Sequence, residues 1–397
     1  MRSTRYWAKA PGQTTSSITT SNADDLAENV RASCEYEADS SASYSQLART
    51  FSAKSSAFDV VMLDVVWPGA FAQYLVDLKP ALAREARAHS AGIIRNNTIN
   101  GKLVAMPWFG DFGILYYRTD LLRKYGYSKP PTTWAQLGAM AQKIQDGEQA
   151  SNPNFYGFVY QGNAYEGLTC DALEWFASSG AGNFVDNGKA SLNNPRAVAI
   201  MNLQRSFVGN ITPRGVTTYQ EGEADQAFGA GNAAFMRNWP YAYSKSQTGP
   251  VKGKFDVTVL PRTGSNPSVG TVGGWQLGVS SFSKNREAAI ELVRYLTSAP
   301  VEKFNAIYNS NVPTIPAVAR DGRAEGQPLA QARDRERRPR DPPDDPGHEV
   351  RAGLPDHLPG PEPDPQRPGR QERPARYRAA AEPPAPIAAH YRTRVGA

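Results

Sequence analysis

Phe58-Asp59-Val60-Val61-Met62-Leu63-Asp64-Val65-Val66-Trp67-Pro68-Gly69 is the stretch that indicates the fold most clearly. A continuous apolar run between polar ends is typical of a buried strand in a parallel sheet. Asp64 lies near the carboxyl end of this strand, where open α/β sheets bind their ligands. The same side chain could instead cap the following turn, because aspartate favours turns. The stretch predicts an α/β fold and leaves both roles open for Asp64.

Further helices and strands are predicted on both sides of this stretch. Thr133 and Gln136 have the spacing of a capping box, which predicts a helix running to about residue 145. An Asn-Gly turn between two apolar arms predicts a hairpin over 97–108. The other predicted elements are a polar helix over 40–54, strands at 114–118, 156–160 and 255–260, and loops or turns at 108–113 and 273–275.

A second informative stretch, GNAAFMRNWPYAY at 231–243, begins as a small-residue strand and ends as an aromatic loop. Pro240 lacks a backbone N–H and favours an extended conformation at Trp239. A large ring is thereby held at the end of a strand, either as the wall of a ligand cleft or as part of the core. Arg237 also has two open roles, a ligand contact or a structural ion pair.

Composition and charge exclude several classes of function. The 397 residues carry a net charge of +6 without a basic stripe, so no nucleic-acid partner is expected. No apolar run is long enough for a transmembrane helix. Residues 1–30 are expected to be poorly ordered, and no signal peptide is visible in them. Cys34 and Cys170 are the only cysteines, and the sequence leaves open whether they pair.

Most catalytic motifs are absent. The chain has no G-x-x-x-x-G-K-[ST], G-x-G-x-x-G, H-E-x-x-H or G-x-S-x-G motif. His89 is the only histidine before residue 320, and its polar surroundings predict a solvated side chain. We therefore expect no catalytic residues, no metal site and no cofactor.

Five segments pair an aromatic residue with a polar group. Carboxylates accept hydrogen bonds from neighbouring hydroxyls, and aromatic faces pack against the C–H faces of a sugar ring. Such a combination predicts a sugar site in an apolar cleft. The carboxylates could instead be the acid and nucleophile of a glycoside hydrolase, with Asp64, Asp111 or Glu166 in those roles. The pairs are Asp64 with Trp67, Trp108 with Asp111, Tyr165 with Glu166, Trp239 with Tyr241, and Gly274 with Trp275.

Several of these segments together resemble the extracellular solute-binding proteins of ABC sugar importers, and the trehalose/maltose-binding type among them. The resemblance covers about residues 40–318. It is carried by DVVMLDVVWPG (59–69), PWFGD (107–111), LYYRTDLL (115–122), AYEGLTCDALEW (164–175), 231–241 and GGWQ (273–276).

The resemblance implies a type II periplasmic-binding-protein fold, in which two hinge-linked α/β lobes close on an oligosaccharide. It also implies a monomer outside the cytoplasmic membrane that delivers an α-linked disaccharide of the trehalose or maltose class to a membrane permease. By resemblance, Asp64 and Asp111 bind sugar hydroxyls, Glu166 and the Gly273–Gly274 backbone add hydrogen bonds, and Trp239 and Trp275 stack on the sugar rings. Trp67, Trp108, Tyr165 and Tyr241 would complete the site.

The predicted division into lobes follows the same resemblance. A Pro/Arg-rich C-terminal tail is expected to be disordered, as a natural tail or as the product of a shifted reading frame, which would leave a truncated, non-functional member of the family. The divisions are 1–30 as the N-terminal segment, 31–113 and 250–308 as lobe I, 114–249 as lobe II, 309–318 as a return crossing toward lobe II, and 319–397 as the tail.

Overall fold

The computed structural model describes residues 40–321 in full and, before them, the backbone of the strands Ser3–Trp7 and Arg31–Glu35. The expected disorder of residues 8–30 and of the tail beyond residue 321 lies outside the described residues, as does the Cys34 side chain. Within the described part of the chain, no helix is long and apolar enough to cross a membrane.

Strands and helices alternate through the described residues. The strands are β1 Ser3–Trp7, β2 Arg31–Glu35, β3 Val60–Asp64, β4 Thr98–Ile99, β5 Lys102–Leu103, β6 Met106–Phe112, β7 Ile114–Arg118, β8 Tyr156–Val159, β9 Val185–Asp186, β10 Lys189–Ala190, β11 Ala233–Asn238, β12 Phe255–Thr258 and β13 Val272–Val279. The helices are α1 Ser40–Ser52, α2 Pro68–Phe71, α3 Lys79–Ala86, α4 Ala91–Asn96, α5 Thr119–Lys124, α6 Trp134–Glu148, α7 Glu166–Ser178, α8 Pro195–Phe207, α9 Glu221–Gly229, α10 Ala242–Ser246, α11 Arg286–Leu296, α12 Ala299–Asn309 and α13 Pro316–Ala319, with short 3-10 turns at Ala72–Tyr74 and Arg214–Thr218.

The first lobe is built on a sheet of order β2-β1-β3-β13-β6. β1 runs parallel to β2 and β3, and β13 runs antiparallel to β3 and β6. Every residue of β3 is buried, as its continuous apolar run predicts. Leu47 and Phe51 of α1 and Val293 of α11 pack into the same core. The predicted helix over 40–54 is confirmed as α1.

The second lobe is built on a sheet of order β12-β7-β11-β8. β7 runs antiparallel to β11 and β12, and β8 runs parallel to β11. Helix α6 begins at the predicted cap, where the Thr133 hydroxyl accepts the N–H of Gln136 at 3.1 Å. Two short ribbons complete the strands, β4 with β5 and β9 with β10. The first of them confirms the predicted hairpin, with Asn100 and Gly101 at positive φ.

Two crossings between the sheets lie side by side. Gly113 joins β6 of the first sheet to β7 of the second, and Thr271 precedes β13 on the way back. The N–H of Gly113 donates to the Thr271 carbonyl at 3.2 Å. A third segment comes close at Val312, whose carbonyl accepts the N–H of Gly110 at 2.8 Å and whose side chain packs into the second lobe.

Three of the predicted boundaries differ from the structure. Residues 3–7 were predicted to belong to a poorly ordered N-terminal segment, but they form β1 between β2 and β3. A five-residue segment is not stable as a strand by itself, and here it is held by backbone hydrogen bonds to two strands that follow later in the chain. Residues 255–258, placed in lobe I, form β12 of the second sheet, paired with β7. The chain returns to the first sheet only at Thr271. Residues 319–321, placed in the tail, include the end of α13 and lie within the described part.

Two segments that were predicted to be loops are strands, and one residue that was predicted to be exposed is buried. Residues 108–112 belong to β6, and residues 273–275 belong to β13, with a bulge between Trp275 and Gln276. Glycine and aromatic residues there suggested a turn, but pairing of β6 with β13 supplies the backbone hydrogen bonds. His89, predicted to be solvated, is 6% exposed because the segment around Thr314 covers it.

Candidate functional site

Asp64 ends β3 and is almost fully buried. Its Oδ1 accepts the N–H of Val66 at 3.2 Å, so the turn-capping role is observed. Burial, followed by the charge of Glu166, raises the pKa of Asp64 well above its usual range. Since Glu166 belongs to the second lobe, the two carboxyl groups face each other between the lobes. Capping uses one oxygen of Asp64 and does not exclude a second role for the other.

Asp111 lies on β6, opposite Gly273 of β13. It is 8% exposed, and its Oδ1 is buried with no hydrogen-bond partner among the described residues. Burial raises the pKa of Asp111 to about 8, against the lowering influence of Arg237. A buried acceptor without a donor is costly, so this oxygen is a position where an incoming hydroxyl donor would stabilise the site.

Gly273 and Gly274 bring the β13 backbone close to other groups. Gly274 has φ of +119°, and a Cβ there would lie 2.6 Å from the Phe109 carbonyl oxygen. A Cβ on Gly273 would lie 3.2 Å from the ring of Trp239. The next residue, Trp275, pairs with Asp64 across the sheet. Side chains at either glycine would therefore displace the strand or the Trp239 ring.

Trp239 and Tyr241 follow β11 in the second lobe. The Trp239 indole N–H donates to Glu221 Oε1 at 3.2 Å, and the Arg237 guanidinium carbon lies 4.0 Å from the centre of its ring. Tyr241 is buried with the Lys245 ammonium 5.0 Å from its ring centre. Both rings also belong to the core of the second lobe, so the alternatives that the sequence left open for Trp239 are not exclusive.

Tyr165 and Glu166 lie at the start of α7. The Tyr165 hydroxyl donates to Glu221 Oε2 at 2.6 Å. Glu166 accepts hydrogen bonds from Cys170 Sγ at 3.1 Å and from the Ser40 hydroxyl of the first lobe at 3.2 Å. Burial raises the pKa of Glu166, and the bond from Cys170 opposes this rise. The Ser40 bond is a direct polar contact between the two lobes.

Arg237 forms a structural ion pair. Its guanidinium donates to both oxygens of Glu174, at 2.9 and 2.5 Å, and lies 2.9 Å from Asp171 Oδ1. Gln161 Oε1 accepts a further bond at 3.1 Å. Burial works to lower the pKa of Arg237, but the charges of Asp171 and Glu174 outweigh it and raise that pKa. The side chain is 1% exposed and its charge is balanced, which favours the structural role over a ligand contact.

The predicted site residues are divided between the two lobes, with different degrees of packing. Trp67 is 3% exposed and packs edge-on against Trp275 at 5.7 Å, so it is largely part of the first core. Trp108 is partly buried against the same core. Those on the first lobe are Asp64, Trp67, Trp108, Asp111, Gly273, Gly274 and Trp275, and those on the second are Tyr165, Glu166, Trp239 and Tyr241.

Sequence reasoning missed Glu221, which joins Tyr165 to Trp239. It is the first residue of α9, and its charge also acts on the pKa of Asp64, Asp111 and Glu166. The capping box between Gln220 and Glu223 is the one local signal that marks this turn. Among the described residues, no group of three or more His, Cys, Asp or Glu side chains could hold a metal ion.

Two lobes that meet over buried carboxyl groups and aromatic rings define a two-lobed binding protein. The family model of the bacterial extracellular solute-binding proteins matches residues 29–303, and the chain belongs to this family. The family consists of binding proteins, which overturns the glycoside hydrolase alternative. The predicted type II periplasmic-binding-protein fold is confirmed by structural neighbours.

Similar proteins support this assignment. A Deinococcus radiodurans protein named "Probable ABC transporter-binding protein" is 53% identical to this chain over 273 residues. The matched region covers 68% of this chain and 65% of that protein's length. The structure of maltose-bound T. maritima MalE3 is 35% identical with a TM-score of 0.76, over 84% of this chain and 87% of that one. A mannitol-bound solute-binding protein of Agrobacterium vitis S4 is 19% identical with a TM-score of 0.71, over 83% and 81% of the two chains, and shows the fold alone.

Proposed function

We propose that this chain is the solute-binding component of an ABC carbohydrate importer. It would act outside the cytoplasmic membrane, bind its ligand between the two lobes and deliver it to the permease. Asp111 is the observation that carries the proposal, because its buried Oδ1 has no donor among the described residues. A ligand rich in hydroxyl groups supplies that donor.

The chemistry of the cleft supports a sugar. Burial and then the charges of Glu166 and Glu221 raise the pKa of Asp64, in the same region as Asp111, and carboxyl oxygens accept hydrogen bonds in either protonation state. The site therefore offers many acceptors. We place the aromatic rings of Trp239 and Trp275 at its border, one from each lobe, where they would provide apolar surface for the C–H faces of a sugar ring.

The proposed ligand is an α-linked disaccharide of the trehalose or maltose class. Two observations support this choice, the sequence resemblance to trehalose/maltose-binding proteins and the 35% identity to a structure described as maltose-bound. In the proposed arrangement Asp64 and Asp111 hold hydroxyl groups of one ring, and Glu166 and the Gly273–Gly274 backbone hold further hydroxyls. Trp239 and Trp275 form the apolar surfaces, and the chain binds as a monomer.

Isothermal titration of the full chain against trehalose, maltose, cellobiose, glucose and mannitol tests the proposal. Cellobiose is the matched control for the linkage, because it joins the same two sugars by a β-bond. We expect trehalose or maltose to bind with one site per chain and cellobiose to bind at least tenfold more weakly, a difference of about 1.4 kcal/mol.

The thermal transition of the same sample separates the possible failures. A cooperative transition without binding heat for any sugar contradicts the proposed function. Binding of mannitol or cellobiose as tightly as trehalose and maltose contradicts the disaccharide class alone. A broad, non-cooperative transition without binding would favour the other possibility raised by the Pro/Arg-rich tail, that the chain is a non-functional member of its family.

A further inference from the structure

Glu174 is a fully buried carboxylate on α7, the second-lobe helix that begins at Glu166. Its Oε1 accepts the backbone N–H of Thr271 at 3.0 Å and a bond from Arg237 at 2.5 Å. Its Oε2 accepts a second bond from Arg237 at 2.9 Å. The protein thus satisfies both oxygens of Glu174 itself, and one of the donors belongs to the return crossing between the lobes.

The same carboxylate also lies against the outgoing crossing. A Cβ at Gly113 would lie 1.8 Å from Glu174 Oε1 and 2.7 Å from the Arg237 NH2 nitrogen. Only a glycine lets the outgoing crossing pass at this distance. The Thr271 hydroxyl donates to the Cys170 carbonyl of α7 at 2.8 Å, so the return crossing is bound to this helix at two points.

Arg237 extends the contact from the crossings to the cleft. Its guanidinium is held by Glu174 and lies over the ring of Trp239, at 4.0 Å from the ring centre. The edge of that ring reaches Gly273 of the first lobe, where an added Cβ would lie 3.2 Å away. One ion pair therefore touches both crossings on one side and supports the Trp239 ring on the other.

We propose that Glu174 is a positioning residue that couples the hinge between the lobes to the seating of Trp239. It holds the Thr271 backbone through Oε1 and orients Arg237, which in turn sets the Trp239 ring at the interface with the first lobe. This inference rests on the proposed function, since it concerns how the lobes close on a ligand.

The physical reason for coupling lies in the short, buried contacts. Closure of a hinge changes φ and ψ at a few residues, here at Gly113 and Thr271. A rotation of either crossing moves the groups that contact Glu174, and the bidentate pairing transmits this movement to Arg237 because a planar guanidinium has little freedom. The ring that borders the ligand and the angle between the lobes are then set together.

Glu174→Gln tests the proposal, because it keeps the size and one acceptor while removing the charge that orients Arg237. Asp120→Asn is the matched control, since it weakens a second bidentate arginine–carboxylate pair of the same lobe, Arg118 with Asp120 at 2.7 and 2.6 Å. Two quantities are measured at a temperature where both variants are folded. The first is disaccharide affinity. The second is the distance between the lobes, measured by energy transfer between dyes attached at Arg87→Cys and Arg205→Cys in a Cys34→Ser background.

We expect Glu174→Gln to weaken affinity about tenfold, within the range that coupling substitutions produce, and to leave an open population at saturating ligand. Asp120→Asn should bind and close like the unsubstituted chain. Equal affinity and closure in Glu174→Gln, or an equal loss in Asp120→Asn, overturns the proposal. If Glu174→Gln does not fold, Arg237→Lys decides, because it keeps the positive charge and removes the bidentate pairing with Glu174. It should also open the saturated population, and unchanged closure overturns the proposal. Absence of binding by the unsubstituted chain would instead contradict the proposed function.

Discussion

Glu302 of the first-lobe region and Asp111 of the cleft are both buried carboxyl groups, and they differ in what satisfies them. Glu302 on α12 accepts the N–H groups of Thr314 and Ile315, at 3.0 and 2.9 Å, and the Thr314 hydroxyl. Asp111 leaves Oδ1 without a donor among the described residues. Burial raises the pKa of both, to about 7 for Glu302 and about 8 for Asp111.

This difference separates a carboxyl group that maintains the fold from the one that we propose binds the ligand. Glu302 binds the backbone of Thr314 and Ile315, in the segment that follows α12. That segment covers His89, whose Nδ1 lies 2.7 Å from the Thr314 hydroxyl. Burial lowers the pKa of His89 to about 4, so the imidazole is neutral at physiological pH. The donors that Glu302 accepts from belong to the chain itself, whereas Asp111 Oδ1 has no donor among the described residues.

Glu302→Ala should have the largest effect on this comparison, and the effect should be on stability. Removal of the carboxylate leaves two buried backbone N–H groups and a hydroxyl without their acceptor. At about 1–3 kcal/mol for each unsatisfied group, we expect a loss of about 4 kcal/mol in the free energy of unfolding, measured by chemical denaturation.

The control for this variant is Glu287→Ala, at an exposed glutamate on the neighbouring helix α11. It should change stability by less than about 0.5 kcal/mol. Disaccharide affinity of the folded Glu302→Ala protein should stay close to that of the unsubstituted chain. A tenfold loss of affinity without a loss of stability would place Glu302 with Asp111 and remove the distinction.

Asp111→Asn should show the opposite pattern, with a loss of affinity and little change in stability. The amide is neutral, as the buried acid largely is at pH 7, so the fold is not asked to accommodate a new charge. Above pH 8, where the acid is ionised, hydrogen bonds from ligand hydroxyls to this charged acceptor are worth about 1.5–3 kcal/mol, and we expect a loss of about 2 kcal/mol in the binding free energy at pH 9.

Titration calorimetry measures this loss, with Asp186→Asn as the control. Asp186 is an exposed aspartate on the β9–β10 ribbon of the described chain, so the same chemical change there should leave affinity within about twofold. If Asp111→Asn bound as tightly as the unsubstituted chain, the orphaned oxygen would not face the ligand.

The pH dependence separates the two carboxyl groups next. Both have a folded-state pKa above the usual value, so each contributes stability at low pH that is lost as pH rises, through about 7 for Glu302 and about 8 for Asp111. Only Asp111 should also affect binding. Hydroxyl donors favour its ionised form, so binding below pH 8 releases a proton and affinity rises with pH.

The expected slope is at most about tenfold per pH unit, or about 1.4 kcal/mol, and it should flatten above pH 8. Calorimetry from pH 5.5 to 9 measures it, and paired buffers of different ionisation enthalpy report the released proton. Asp111→Asn should reduce the slope, and Asp64 and Glu166 account for what remains, since burial raises the pKa of both. An affinity that falls as pH rises would mean that Asp111 stays protonated and donates to the ligand.

Local sequence patterns predicted those helices, strands and turns whose signal lies within a few neighbouring residues. The apolar run of β3, the cap at Thr133 and the Asn100–Gly101 turn all lie within a few residues of the element that they mark. Strand β1 and the sheet that takes Phe255–Thr258 could not be predicted in this way. Strand β1 depends on pairing with β2 and β3, and Phe255–Thr258 depends on pairing with β7; these partners lie too far along the chain for a local pattern to encode.

The site divides in the same way. Asp111 was predicted as a site residue because an aromatic side chain and a carboxylate within one short stretch are typical of a sugar-binding site. Glu221 and Glu174 were missed because each lies on an ordinary helix, and their roles depend on partners far along the chain, Tyr165 and Thr271. Arg237 was recognised as ambiguous from sequence, and only its contact with Glu174 assigns it to the ion pair.

Ser40→Ala should have the smallest effect, and it tests whether contacts between the lobes matter apart from those to the ligand. The Ser40 hydroxyl donates to Glu166 across the cleft at 3.2 Å, and a single such bond is worth about 0.5–1.5 kcal/mol. We expect a loss of about 1 kcal/mol in binding free energy, because the closed arrangement loses one contact that an open one lacks. Ser52→Ala, at an exposed serine ending the same helix, controls for changes in α1 and should bind normally.

The loss of affinity in Ser40→Ala should appear as faster ligand dissociation in stopped-flow experiments, since the bond forms only after closure. A slower association rate with unchanged dissociation would instead place Ser40 on the path of ligand entry, and Glu166 would then join Asp111 as a group that acts on the ligand alone.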